Sequence, residues 1–139
     1  MTITPMQTLP DIIAKDLAVV FCGINPGLQA ATIGHHFAGR SNRFWRAIHL
    51  AGFTPEQVRA ENDRTLLAYG CGLTTAVERP TVLSRQRKVQ WGPQPTAFAG
   101  AIVWVLPNPS GLNRAFNLDN LVQAYRQLYL EVARASDNR

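Results

Sequence analysis

Two stretches of the chain repeat one hydrophobic-to-polar pattern. Val19-Val20-Phe21-Cys22 is continuously apolar and breaks at Gly23-Ile24-Asn25-Pro26-Gly27, while Trp104-Val105-Leu106 breaks at Pro107-Asn108-Pro109-Ser110-Gly111-Leu112. A β-rich run that stops at Gly, Asn and Pro reads as a buried strand entering a rigid polar turn. Each turn places one Asn just past the strand end. In an open α/β sheet, the loops at the carboxyl ends of the strands build the ligand crevice. The remaining segments then read as support for these two loops.

Met1 to Pro10 reads as a loose lead-in, and Asp11 to Asp16 as one helical turn. Leu17 to Cys22, apolar throughout, predicts a strand covered on both faces. Gly27 to Arg40 carries no period and reads as a long loop containing Gly34-His35-His36-Phe37-Ala38-Gly39. Ser41 or Asn42 caps a helix towards Ala51, with Phe44, Trp45 and Ile48 on one face and Gly52 as the stop. Thr54-Pro55-Glu56-Gln57 has capping-box spacing with Pro at the first helical position. A further helical stretch runs from about Asp63 to Tyr69 and ends at Gly70, before a short strand from Cys71 to Val77. Ser84-Arg85-Gln86-Arg87-Lys88 is basic and aperiodic, and Trp91-Gly92-Pro93 signals a turn. Thr96 to Phe98 and Ala101 to Leu106 predict a hairpin about Gly100. Asn117 caps a final helix, whose apolar stripe is Leu118, Leu121, Val122, Tyr125, Leu128 and Val132.

The chain has 139 residues, enough for one domain, and no run reaches the ~18–20 apolar residues of a membrane span. No basic segment followed by an apolar one opens it, and it has two cysteines. Together these predict a cytoplasmic protein in a reducing compartment, with no role at a membrane. The net charge is +5, and Arg far outnumbers Lys. Arg forks match phosphate geometry, and a positive field steers nucleic acid, so the charge points to a phosphate-rich partner.

Asn25 is uncharged and cannot act as a strong general base, but its amide holds a water and donates a hydrogen bond. His35 and His36 are adjacent, yet no Cys-x-x-Cys or His-x-x-x-His spacing supports a metal site. Phe37 sits among glycines in a polar loop. It either anchors that loop to the core or offers a stacking platform for a base. Leu112, with Arg114 two positions on, is either a core leucine or a wedge for a base stack.

Taken together, the residues resemble the mismatch-specific uracil-DNA glycosylases, the branch that includes the thymine-DNA glycosylases. Gly23 to Gly27 matches the first motif of that family, and Asn108 to Leu112 the second. Asn42-Arg43-Phe44-Trp45, Arg79-Pro80-Thr81, Gln90-Trp91-Gly92 and Val105-Leu106-Pro107 match in order, and Gly34-His35-His36-Phe37 is similar to the thymine-DNA glycosylase version of its loop. The resemblance spans about Leu17 to Leu128. It implies one α/β domain over residues 1–139, a three-layer α/β/α sandwich with a mostly parallel sheet. It implies excision of uracil, or of lesions such as ethenocytosine or thymine, mispaired with guanine in double-stranded DNA, by a monofunctional monomer without metal or cofactor. Asn25 then places the attacking water. Gly23, Ile24, His36, Phe37 and Asn108 surround the base. Ser110, Gly111, Leu112, Asn113 and Arg114 fill the vacated stack and read the widowed guanine. Relatives carry a helix, a strand and part of a second helix between Arg-Pro-Thr and Gln-Trp-Gly, where this chain has only Val82 to Val89. Residues 81–90 therefore read as shortened: either the chain is a truncated member whose sheet lacks one central strand, or it joins two pieces across residues not shown. Two other readings follow from the residues: a non-catalytic DNA-binding remnant, and a small-molecule nucleotide binder using the same crevice.

Overall fold

A computed structural model describes residues 9–24, 34–76, 91–98 and 101–137. The elements in chain order are β1 (Val19–Ile24), α1 (Phe44–Ala51), a 3-10 segment (Ala60–Tyr69), β2 (Cys71–Ala76), β3 (Gly92–Phe98), β4 (Ala101–Val105) and α2 (Leu118–Asp137). This is an α/β domain.

β1 and β2 pair in parallel, from Val19 opposite Cys71 to Ile24 opposite Ala76. β3 and β4 form a separate antiparallel ladder. Its register shifts between Pro93 and Ala97, where Pro95 has no N–H to give the ladder. The two strands that enter the motif loops, β1 and β4, thus lie in different ladders.

β1 alternates. Phe21 is buried, whereas Val20 is 47% exposed and Cys22 is exposed. The expectation of cover on both faces fails here, because the described helices pack only the Phe21 side. β4 likewise leaves Ile102 73% exposed.

The core is aromatic. Phe44 is fully buried, stands edge-on to Phe21, Trp45 and Tyr125, and stacks on Phe37. α1 and α2 close over it through Ala47, Ile48, Ala51, Leu121, Tyr125 and Leu128. Asn42 Oδ1 accepts the Phe44 N–H at 3.0 Å at the start of α1. Gly52, at φ 115°, ends it by donating to His49 O and Ile48 O, a left-handed turn that glycine makes without a Cβ clash. At the start of α2, Asn117 and Asn120 cap each other, each side-chain oxygen accepting the other's N–H at 2.8 and 3.2 Å.

Four local expectations are corrected. Asp11 to Asp16 is not helical: Ile12 bridges Leu73 through N–H···O contacts of 2.8 and 2.9 Å, and it is buried. Leu9 is buried too, so the lead-in is not loose at its end. Thr54 does not cap a helix, because its hydroxyl donates forward to Glu56 O at 2.7 Å from a buried position. The helical stretch before Gly70 is 3-10 and begins at Ala60. Ser84 to Lys88, Arg79-Pro80-Thr81 and Gln90 lie outside the described residues.

Cys71 is buried at the start of β2, and burial pushes its thiol from 9.0 up to about 11. The unfolded chain releases this proton first as pH rises, so unfolding is favoured between those two values. The urea midpoint is therefore expected to fall between about pH 8.5 and pH 11, and to fall less in Cys71→Ala. Equal falls in the two proteins would exclude the thiol as the source.

Candidate functional site

The loop after β4 is built around one arginine from another element. Arg43, the residue before α1, sends its guanidinium into the loop and donates to four main-chain carbonyls. Nη1 reaches Phe116 O at 2.6 Å, Nη2 reaches Ser110 O at 2.8 Å and Asn113 O at 3.1 Å, and Nε reaches Pro109 O at 3.3 Å. The Arg43 N–H also donates to Pro109 O at 3.0 Å. A planar guanidinium with fixed N–H directions suits this fan of acceptors, and an ammonium does not.

Within the loop, Asn108 Oδ1 accepts the Ser110 N–H at 2.9 Å, and Ser110 Oγ accepts the Leu112 N–H at 3.2 Å. Asn113 works from both ends of its amide. Nδ2 donates to Asn108 O at 2.9 Å, and Oδ1 accepts the Ala115 N–H at 3.3 Å. Gly111 fits where nothing larger does, since a Cβ there would stand 2.6 Å from Ser41. Below the loop, the buried Tyr125 hydroxyl donates to Pro107 O at 3.0 Å. Desolvation pushes the Tyr125 hydroxyl pKa well up, with the Arg43 charge opposing in part, so the phenol stays a donor at neutral pH.

This bracing holds Leu112 out. It is 88% exposed at the tip of the loop, and Arg114 beside it is exposed as well. An isolated exposed leucine is ordinary. One on a loop braced by an arginine and three polar side chains is not a leucine seeking the core, which removes the buried alternative for Leu112.

The loop before α1 carries Phe37. Its backbone is left-handed, at φ 53°, a conformation that costs roughly 1–2 kcal/mol for a residue with a Cβ. Its ring stacks on Phe44, centroids 3.9 Å apart and planes 15° from parallel. The ring edge lies over the end of β1, where a Cβ on Gly23 would meet Phe37 Cζ at 3.3 Å. Phe37 is half-buried, and its ring anchors the loop on Phe44 beside the end of β1. If the ring is a stacking platform for a base, Phe37→Ala is expected to weaken the reaction on that base by about 1–3 kcal/mol, the worth of one base–aromatic stack. It should destabilise the fold less than Phe44→Ala, at about 3–5 kcal/mol. Thermal midpoints and single-turnover rates on one preparation check both, and a Phe37→Ala that melts like Phe44→Ala would make Phe37 an anchor alone.

His36 sits behind this loop, 1% exposed. Nε2 donates to Pro10 O at 2.9 Å, the main-chain N–H donates to Asp63 Oδ2 at 3.2 Å, and the main-chain O accepts Trp45 Nε1–H at 3.1 Å. His35 Nδ1 stands 3.4 Å from the same buried carboxylate. The assignment of His36 to the base pocket meets a ring enclosed by its own chain. Its contacts fix the approach of the Phe37 loop instead.

The structure brings Gly23 to Phe37, Phe37 to Phe44, Ser41 to Gly111, and Arg43 to the whole second-motif loop. Asn25, assigned to the attacking water, lies outside the described residues, and so does the Ile24 side chain. Sequence reasoning missed Arg43, Asp63 and Tyr125 as organisers. Their signal was weak, because each acts on main-chain atoms far away in sequence. The sequence model of the Uracil DNA glycosylase superfamily matches residues 10–90. That span contains β1, the first motif, the Phe37 loop, α1 and β2. The second-motif loop lies beyond it.

Proposed function

We propose that this chain, which belongs to the Uracil DNA glycosylase superfamily, is a monofunctional, mismatch-specific base-excision repair enzyme. It hydrolyses the N-glycosidic bond of uracil, and of related lesions such as ethenocytosine or thymine, mispaired with guanine in double-stranded DNA. Membership supplies the reaction class, a glycosylase hydrolase acting on uracil in DNA. The observation that favours a mispaired target is the arginine-braced loop holding Leu112 out at its tip. A glycosylase must first extrude its target, at a cost of a few kcal/mol that is least for a mispaired base. A rigid apolar side chain that fills the vacated stack offsets that cost.

In this reading Phe37 stacks on the flipped base beside Gly23. Asn25 holds a water against the sugar C1′. The water oxygen bonds to C1′ as the C1′–N1 bond breaks. The bonding electron pair leaves with the base as an anion, stabilised by main-chain N–H groups of the motif loops. The water proton passes to solvent. Nothing in the two motifs supplies a carboxylate base, and such a base typically contributes 10²–10⁴-fold, so turnover is expected to be slow. The protein acts as a monomer, without metal, in the cytoplasm.

One observation favours a second reading. Among the described residues, β1 and β4, which lead into the two motif loops, lie in separate ladders. A family member that binds the mispair without cutting would show this too. Single-turnover release of uracil from a G·U duplex decides between them. Release that is faster from G·U than from A·U supports the mismatch enzyme. Mispair binding with no release supports the non-catalytic form.

A further inference from the structure

Beside the Phe37 loop lies a half-open cleft of about 330 Å³ that neither motif accounts for. It runs between Phe37–Arg46 and the segment just before the 3-10 segment, and four arginines line it: Arg40, Arg43, Arg46 and Arg59. No Asp or Glu lines it. The Arg43 guanidinium is committed to the second-motif loop, but its charge remains. Arg40, Arg46 and Arg59 are exposed. Arg59 stands 3.8 Å from Glu61 with both side chains largely in solvent, a pairing an incoming anion displaces at little cost.

Two contacts fix where this cleft sits. Phe37, on one wall, touches the end of β1, and Ser41, on the same lining, packs under Gly111 of the loop that carries Leu112. The cationic surface therefore begins at the base of the wedge loop and leads away from it. The volume is at the low end of the ~300–1,000 Å³ of small-ligand clefts, and the cations are forks that fit phosphate oxygens.

We infer that this cleft is a phosphodiester-binding site, in which Arg40, Arg46 and Arg59 hold the DNA backbone flanking the lesion. The inference rests on the proposed action on DNA, and it adds contacts to the backbone next to the base platform and the wedge loop. With the backbone held beside the loop that carries Leu112, the duplex is fixed in register before the base turns out.

The test is the salt dependence of binding to an undamaged duplex, which needs no excision. Each of Arg40→Gln, Arg46→Gln and Arg59→Gln is expected to reduce the slope of log K against log salt by about one unit. The triple variant should lose close to three. Arg134→Gln removes the same charge from α2, where Arg134 pairs with Glu131 at 2.7 Å, and its slope should match the parent. A triple variant with the parent slope overturns the site. So does an Arg134→Gln loss equal to the loss from a cleft arginine, since only net charge would then be felt. Reduced slopes in a protein that releases no uracil would leave the cleft standing and remove the proposed activity. Excision with parental slopes in every cleft variant would do the reverse.

Discussion

Asn25→Ala is expected to abolish uracil release while leaving binding to a G·U duplex within a few-fold of the parent. Asn25 directly follows Ile24, the last residue of β1, and precedes Pro26, which fixes the backbone after it. Two residues before it, Gly23 lies against the Phe37 ring, so this strand end is already beside the surface proposed to receive the base. The motif offers no carboxylate to take over the water. In the proposed reaction, deleting the amide removes an interaction made with the attacking water and none made with the DNA backbone. In kinetic terms the rate at saturating duplex should collapse while the half-saturation concentration holds. Single-turnover rates and fluorescence-anisotropy binding on one protein sample measure the two quantities. An alanine variant that cuts at the parental rate would remove Asn25 from the mechanism.

The second large effect is expected at Arg43, a residue that contacts neither base nor sugar in the proposed reading. Arg43→Ala deletes donors to Pro109 O, Ser110 O, Asn113 O and Phe116 O in one step. Charged hydrogen bonds are worth about 1.5–3 kcal/mol each. The loop is close to solvent, so water recovers much of this, and a net loss of about 3 kcal/mol of stability is expected. The larger consequence is positional. A shift of about 1 Å in a group that sets reaction geometry can cost 10²-fold in rate, and duplex excision should fall by about that factor. Arg43→Lys should rescue the charge and the stem packing without the fan of N–H donors, so it should recover stability more than excision. Full recovery of excision by lysine would show that charge alone matters at this position.

Much of the fold was legible because local signals agreed with tertiary packing. α1 followed from Phe44, Trp45 and Ile48 on one face with Gly52 as the stop, and α2 from its stripe and the Asn117 cap. The hairpin of β3 and β4 was readable in outline, although β3 starts at Gly92, inside what reads as a turn. Where the reading failed, a distant contact overrode a local preference. Thr54 carries capping-box spacing, but it is buried and donates to Glu56 O instead. Ile12 leaves a helical turn to bridge Leu73 sixty-one positions on (73 minus 12). The same reason hid part of the site. Leu112 was readable as a projecting residue because the small residues Ser110 and Gly111 precede it. Arg43 was one arginine among many, and its acceptors are main-chain oxygens at least 66 positions away. His36 looks like a ligand beside Phe37, yet Pro10 and Asp63, 26 and 27 positions away, enclose it.

The central claim is that a rigid, arginine-braced loop drives Leu112 into a duplex to hold a mispaired base outside it. Its most direct measurement is uracil release by Leu112→Ala on two substrates, a G·U duplex and the same uracil-containing strand alone. A single strand leaves no stack to fill. Leu112→Ala should lose release from the duplex by well over tenfold, while release from the single strand stays near the parental rate. Equal losses on both substrates, or no loss on the duplex, would contradict it.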